Sequence, residues 1–127
     1  MSDYETRKKD FKARVYRWAE KLDTPVVSVA VRRMTTKWAS YSTNGRLTFD
    51  ADLLELRPEL QDYVIVHELL HFYVPNHGKL WKSLMRAHLG EYAALEKELE
   101  RVARNNRLQH HSTEHPTMGE GGVGRGH

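Results

Sequence analysis

The chain has 127 residues, of which 39% are hydrophobic and 29% charged, with a formal net charge of +3 and no cysteine. That length suits one domain with a modest core, and the balance of apolar and charged residues excludes both intrinsic disorder and membrane insertion, since no apolar run approaches the roughly 20 residues a bilayer crossing needs. Without cysteine there is neither a disulfide framework nor a thiolate metal site, so any transition metal must be held by histidine and carboxylate.

Met1 to Asp10 is charged and lacks the apolar core of a secretory signal, which gives the expectation of a cytoplasmic protein. From Tyr4 to Leu22, the residues Phe11, Val15, Trp18 and Leu22 recur at steps of three and four and predict an amphipathic helix. Its basic residues Arg7, Lys8, Lys9, Lys12, Arg14 and Arg17 read as a solvated helix face rather than a polyanion site, because acidic residues are interleaved with basic ones along most of the chain. Val26 to Met34 alternates, with Val27, Val29 and Val31 on one side, and predicts a half-buried strand. Asn44-Gly45 then favours a tight turn, after which Arg46 to Phe49 resumes the alternation through Leu47 and Phe49. Two antiparallel strands are expected, with room for a third in the loop between them, and they must lie against helices to be stable.

Pro58 suits the first position of a new helix, where its missing N–H would have no partner. The helix is expected to run to Tyr73 and stop because Val74 precedes Pro75. Asn76 is a candidate N-cap for a short helix marked by Leu80, Trp81, Leu84 and Met85, and Gly90 can end it. Tyr92, Leu95, Leu99 and Val102 mark a last helix finishing near Arg104. Residues 1–104 therefore form the single expected domain, and the polar, glycine- and histidine-rich 105–127 is expected to be a flexible tail.

Within the helix beginning at Pro58 stands His67-Glu68-Leu69-Leu70-His71. Residues four apart share one helical face, so both imidazoles can turn onto a single ion, while Glu68, about 100° further round, can reach a water beside that ion without ligating it. A catalytic zinc usually takes three protein ligands and keeps one position open. His77, six residues past His71 and beyond the break at Val74-Pro75, can supply the third, with Glu91 the main carboxylate competitor. Three neutral imidazoles leave the charge of the ion uncancelled, which helps to bring the pKa of a bound water towards about 7. Glu68 can then take a proton from that water and hand it to a leaving amine, so an amide is the natural substrate. An accidental occurrence of the motif is possible in a chain with 8 histidines. Against it, two histidines and a glutamate on an otherwise apolar helix are costly to bury without a partner.

Two blocks of the chain, taken together, resemble the YgjP-like metallopeptidases, relatives of the SprT-like zincins. One is Arg33-Met34-Thr35-Thr36-Lys37-Trp38-Ala39-Ser40-Tyr41-Ser42 followed by Asn44-Gly45-Arg46-Leu47-Thr48. The other runs from Tyr63 through His67-Glu68-Leu69-Leu70-His71 to Asn76-His77-Gly78 and Trp81. The resemblance implies an α+β minimal zincin-like fold, in which a small antiparallel sheet packs on the N-terminal helix and the helix of the H-E-x-x-H motif, with further C-terminal helices. It implies zinc on His67, His71 and His77, a catalytic Glu68, and a substrate cleft bordered by the strand that follows the Trp38 loop. Ala39 and Tyr41 depart from the family's glycine and cysteine. The histidine spacing also fits the metzincins, but Val74 stands where that group has glycine and no Met-turn follows.

Trp38 and Tyr41 either line the cleft or pack on the sheet, the commoner fate of such aromatics. Trp81 is expected in the core, bracing the turn that bears His77. His88 and Tyr92 are the candidate oxyanion donors, and the tail histidines His110, His111, His115 and His127 are not expected to form a second metal site. Three functional readings follow: a zinc peptidase acting on a peptide or protein; a module that binds nucleic acid or a partner and uses zinc structurally; and a peptidase stimulated by DNA, as the SprT-like resemblance suggests.

Overall fold

The computed structural model describes residues 2–110 and the pair Val123–Gly124, with the backbone alone at 106–110 and at that pair. Helix α1 spans Asp3–Lys21, with the Ser2 side chain accepting from the Glu5 N–H at 3.2 Å and Asp3 and Glu5 placed at the positive end of the helix dipole. Phe11, Val15 and Ala19 are its buried stripe, and Trp18 and Leu22 pack partly against the core. It ends on Asp23 at φ 54, with the Thr24 N–H reaching back to the Ala19 carbonyl at 2.8 Å, the left-handed exit that closes many helices.

Strand β1 is Ser28–Arg32, β2 Lys37–Tyr41 and β3 Arg46–Asp50, and the two-residue β4, Val123–Gly124, completes a sheet in the order β1-β3-β2-β4. The loop after β1 does hold a third strand. It is β2 that forms the antiparallel hairpin with β3, across the Asn44-Gly45 turn, where Gly45 takes φ 92 and the Ser42 N–H donates to the Arg46 carbonyl at 2.9 Å. The expected antiparallel partners, β1 and β3, instead run parallel, Val29 beside Leu47 and Val31 beside Phe49. An intervening strand reverses the chain once more, and that reversal turns the pairing from antiparallel to parallel. The sheet is thus mixed. Val27 lies before β1 and is 65% exposed, so only Val29 and Val31 of the expected row face the core.

Asp50 caps a 3₁₀ turn at Ala51–Glu55 and also accepts from the Met34 N–H at 3.2 Å, tying the exit of β1 to the end of β3. Helix α2 then runs from Pro58 to Leu70, with Pro58 in its first turn as expected. Nine of its residues are buried, on every side, which makes it the central helix of the fold: α1, β2, α3 and α4 all pack against it. It stops three residues short of the expected Tyr73. His71 is the C-cap, and the chain tightens from there, the Phe72 N–H donating to Leu69 and the Tyr73 N–H to Leu70, so the approach to Pro75 unwinds a whole turn instead of one residue.

Helix α3 is Lys79–Leu89, capped by Gly78 rather than Asn76, whose side chain accepts the Gly78 N–H at 2.9 Å one step earlier. Trp81 and Met85 are its buried face, Leu80 is exposed, and Gly90 at φ 71 ends it. Helix α4 is Ala93–His110, so 105–110, expected in the tail, is helical. The rest of the expected tail, with His111, His115 and His127, lies outside the described residues apart from β4.

The core joins these layers. Phe11 of α1 meets Phe49 of β3 edge to face at 5.1 Å, and Asp62 of α2 accepts from both Arg14 at 2.8 Å and the Trp18 indole at 2.9 Å. Arg57 grips Glu98 of α4 through two nitrogens, at 3.1 and 2.5 Å, which holds that carboxyl below the usual carboxylate range.

Candidate metal centre

His67 and His71 sit on the last turn of α2 and both are buried, whereas His77, in the loop before α3, is exposed. The tightened turn after His71 and the bend at Pro75 bring the loop back over the helix end. Ring centroids stand 4.9 Å apart for His67–His71, 4.9 Å for His67–His77 and 4.8 Å for His71–His77. One ligand nitrogen from each of the three lies within 4.8 Å of the others.

The tautomer of His71 is fixed by a main-chain oxygen. Its Nδ1 is 3.1 Å from the Val74 carbonyl, which can only accept, so Nδ1 carries the hydrogen and Nε2 presents its lone pair. That Nε2 is 3.0 Å from His77 Nε2. Two nitrogens held by one tetrahedral zinc at roughly 2.0–2.1 Å stand roughly 3.3 Å apart, so the pair is spaced to share an ion. Burial lowers the pKa of His71, an effect that the Val74 bond partly offsets and His77 adds to, and the neutral ring it favours is the form that ligates. Three nitrogen donors and no sulfur suit a divalent transition metal.

The packing around the triad is aromatic. Trp81 of α3 touches all three rings, with centroids 4.6 Å from His77, 4.9 Å from His67 and 6.3 Å from His71. It is buried, as expected, and its indole N–H has no hydrogen-bond partner among the described residues, so a donor is left over beside the histidines. Tyr63, one turn before His67 on the same face, rests against that ring at 6.0 Å and donates its hydroxyl to Glu96 of α4 at 2.9 Å. Burial, reinforced by Glu96, pushes the Tyr63 hydroxyl well above its ordinary pKa, so it stays a donor. The four-residue spacing of Tyr63 and His67 is the signal in the sequence that could have shown this support.

Glu68 is completely buried beside the two histidines of its helix. Tyr41, at the end of β2, lies parallel to His71, so this departure from the family pattern stands at the centre itself. Trp38 is 1% exposed and belongs to the core, not to a cleft wall. Strand β2, which lies within the expected Trp38 loop, packs on α2 and reaches the histidines through Tyr41. Two other candidates lie elsewhere: the His88 ring meets Trp18 of α1 at 6.3 Å, and Glu91 is exposed and not part of the histidine group. Tyr92 packs on Tyr63 and Trp81, behind the histidines.

Among the described residues, no helix is long and apolar enough to cross a membrane. The model of the family described as YgjP-like, metallopeptidase domain, matches residues 3–102. The crystal structure of the metallopeptidase zymogen of Methanocaldococcus jannaschii jannalysin is similar in fold, with a TM-score of 0.55 and 22% sequence identity, covering 83% of this chain and 99% of that one. No curated protein matches the chain.

Proposed function

The chain belongs to the YgjP-like metallopeptidase family, and on that premise we propose that it is a zinc-dependent peptidase in which His67, His71 and His77 hold the ion and Glu68 is the general base. The observation that carries this reading is the convergence of three imidazole nitrogens within 4.8 Å of one another on the helix that also bears a buried glutamate. When bound, zinc supplies a Lewis acid that polarises a carbonyl and makes a water more acidic. The protein's own contribution starts at the Glu68 carboxylate, which accepts a proton from that water and returns it to the leaving amine. The Val74 carbonyl keeps His71 Nε2 free of hydrogen, and Trp81 keeps the three rings in register. The substrate is a peptide or protein, and residues 1–104 are the catalytic domain.

The test is metal analysis of the purified protein together with digestion of an unstructured casein, with and without chelator. Glu68→Gln should retain the metal and lose cleavage by about 10² to 10⁴-fold. A Glu68→Gln protein that digests casein as fast as wild type would sink the mechanism.

A second reading has one observation in its favour. Arg7, Arg14 and Arg17 of α1, with Asp10, line a cleft of about 340 Å³, and Lys21 continues the basic strip. Arg7 and Arg14 are already engaged by Glu55 and Asp62, at 2.7 and 2.8 Å, which weakens their call on a polyanion. Running the same digestion with and without DNA separates a DNA-stimulated peptidase from an independent one. A salt-dependent DNA affinity with no cleavage at all would favour a binding module with a structural ion.

A further inference from the structure

Helix α4 buries Leu99 and Ala103, and the half-buried Glu96 stands three residues before Leu99 on the same face. A carboxylate carried on the inner face of a helix is costly without a partner. Its partner is Tyr63 of α2, only 3% exposed, whose hydroxyl donates to Glu96 Oε2 at 2.9 Å. The Tyr63 ring in turn lies 6.0 Å from the His67 ring, one helical turn along α2, with 53° between their planes. One phenol is thus held at its hydroxyl by α4 and rests its ring against a candidate metal ligand.

The first turn of α4 also reaches the centre by a second route. Tyr92, whose carbonyl accepts from the Glu96 N–H at 3.0 Å, packs 6.2 Å from Tyr63 and meets Trp81 edge to face at 6.1 Å. Arg57, at the start of α2, fixes the register of this turn by gripping Glu98. In a close-packed interior, rings confined in this way transmit a displacement instead of absorbing it.

We propose that Glu96 is a positioning residue for His67, acting through the Tyr63 hydroxyl, so that a carboxylate on α4 sets the orientation of a ligand ring on α2. Without Glu96 the buried hydroxyl loses its acceptor and must turn to find another, which moves the ring that His67 leans on. The consequence for an ion rests on the ligand assignment above; the consequence for the imidazole does not.

The experiment uses the full-length chain with Tyr63→Phe, Glu96→Ala, the two combined, and Glu96→Gln, which keeps an acceptor oxygen and serves as the conservative rescue. Zinc affinity of the folded proteins is measured by competition with a chromophoric chelator. Tyr63→Phe and Glu96→Ala should each weaken it by about 10-fold, and so should the double variant, because all three lose the same hydrogen bond. Glu96→Gln should stay within about threefold of wild type. The visible absorption of the cobalt(II)-loaded protein should change in the first three variants and match wild type in the fourth. In the metal-free protein at fixed pH, the His67 Cε1–H resonance should follow the same pattern, a readout that lost stability alone would not move. A resonance that stays in place in Tyr63→Phe and Glu96→Ala overturns the proposal, as do losses of zinc affinity that multiply to about 100-fold in the double variant. If the wild-type chain binds no zinc while the His67 resonance responds as expected, the ligand assignment falls and the positioning stands.

Discussion

The Tyr41 ring lies 6.0 Å from that of His71 with only 8° between their planes, so a strand residue and a candidate metal ligand form one stack. Tyr41 is steadied in turn by Phe72, the residue after His71, at 5.1 Å. We expect Tyr41→Ala to weaken zinc binding by about 10-fold, since a supporting group orients its ligand, and Tyr41→Phe to stay within about twofold. Competition against a chromophoric chelator measures both, and an alanine variant with wild-type affinity would show that the stack positions nothing.

Trp81 contacts all three histidines. Its replacement by alanine should destabilise the fold by about 3–5 kcal/mol, as loss of a buried indole does. Zinc affinity should fall by about 10 to 100-fold. Trp81→Phe separates the effects: it keeps an apolar plate and most of the stability. Urea unfolding of the metal-free protein gives the first quantity and metal titration of the folded variants gives the second.

Asp62 receives hydrogen bonds from Arg14 and Trp18 and so joins α1 to α2. Asp62→Ala leaves an indole N–H and a half-buried guanidinium without their acceptor. The expected loss is about 1–2 kcal/mol, moderated by the solvent access of the ion pair. Zinc affinity should not move; if it does, α1 is coupled to the centre in a way that the contacts do not account for.

Gly45 occupies φ 92, and a Cβ built there would stand 2.5 Å from the Pro25 carbonyl oxygen and 2.9 Å from Val27 Cγ2. Gly45→Ala meets a backbone atom that cannot swing aside, on top of an unfavourable φ. A cost of about 2 kcal/mol or more is expected in thermal or urea unfolding. A neutral substitution would mean that the β2–β3 turn relaxes freely.

His88 is held below its ordinary pKa, first by burial and then by the neighbouring Lys21 charge, in a site where its ring meets Trp18. The unfolded chain therefore takes up a proton at a higher pH than the fold does. The stability linked to this group is complete above about pH 6.5 and declines as pH falls through that value towards the lower folded pKa. Urea midpoints of the metal-free protein, compared between wild type and His88→Gln at about pH 7.5 and about pH 5, isolate the effect. The advantage of the variant over wild type should grow on the acid side; a constant difference would rule out a shifted His88.

The sequence made the histidine cluster legible because its members obey local geometry. His67 and His71 are one helical turn apart, and the Val74-Pro75 break announces the reversal that returns His77. Pro58, Gly45 and Gly90 likewise mark element boundaries by constraints within a residue or two. The parallel pairing of β1 with β3 has no such local sign. It depends on β2, where Trp38 and Ala39 are buried in succession and the alternation that betrays a strand is lost. The placement of His88 against α1 and of Tyr41 against His71 is tertiary, and spacing along the chain carries no record of it. The extra helical turns of α4 beyond Arg104 were hidden by a polar composition that helices tolerate as readily as coils do.

The oxygen that orients the His71 ring belongs to the main chain at Val74, so the hydrogen bond does not depend on which side chain packs into the core there. What must persist is the path of the backbone, and that is set by the imide of Pro75, which restricts the conformation of the residue before it. Natural variation around this centre should therefore be narrow at position 75, for the sake of the backbone path, and confined at position 74 to apolar residues that fill the same buried space.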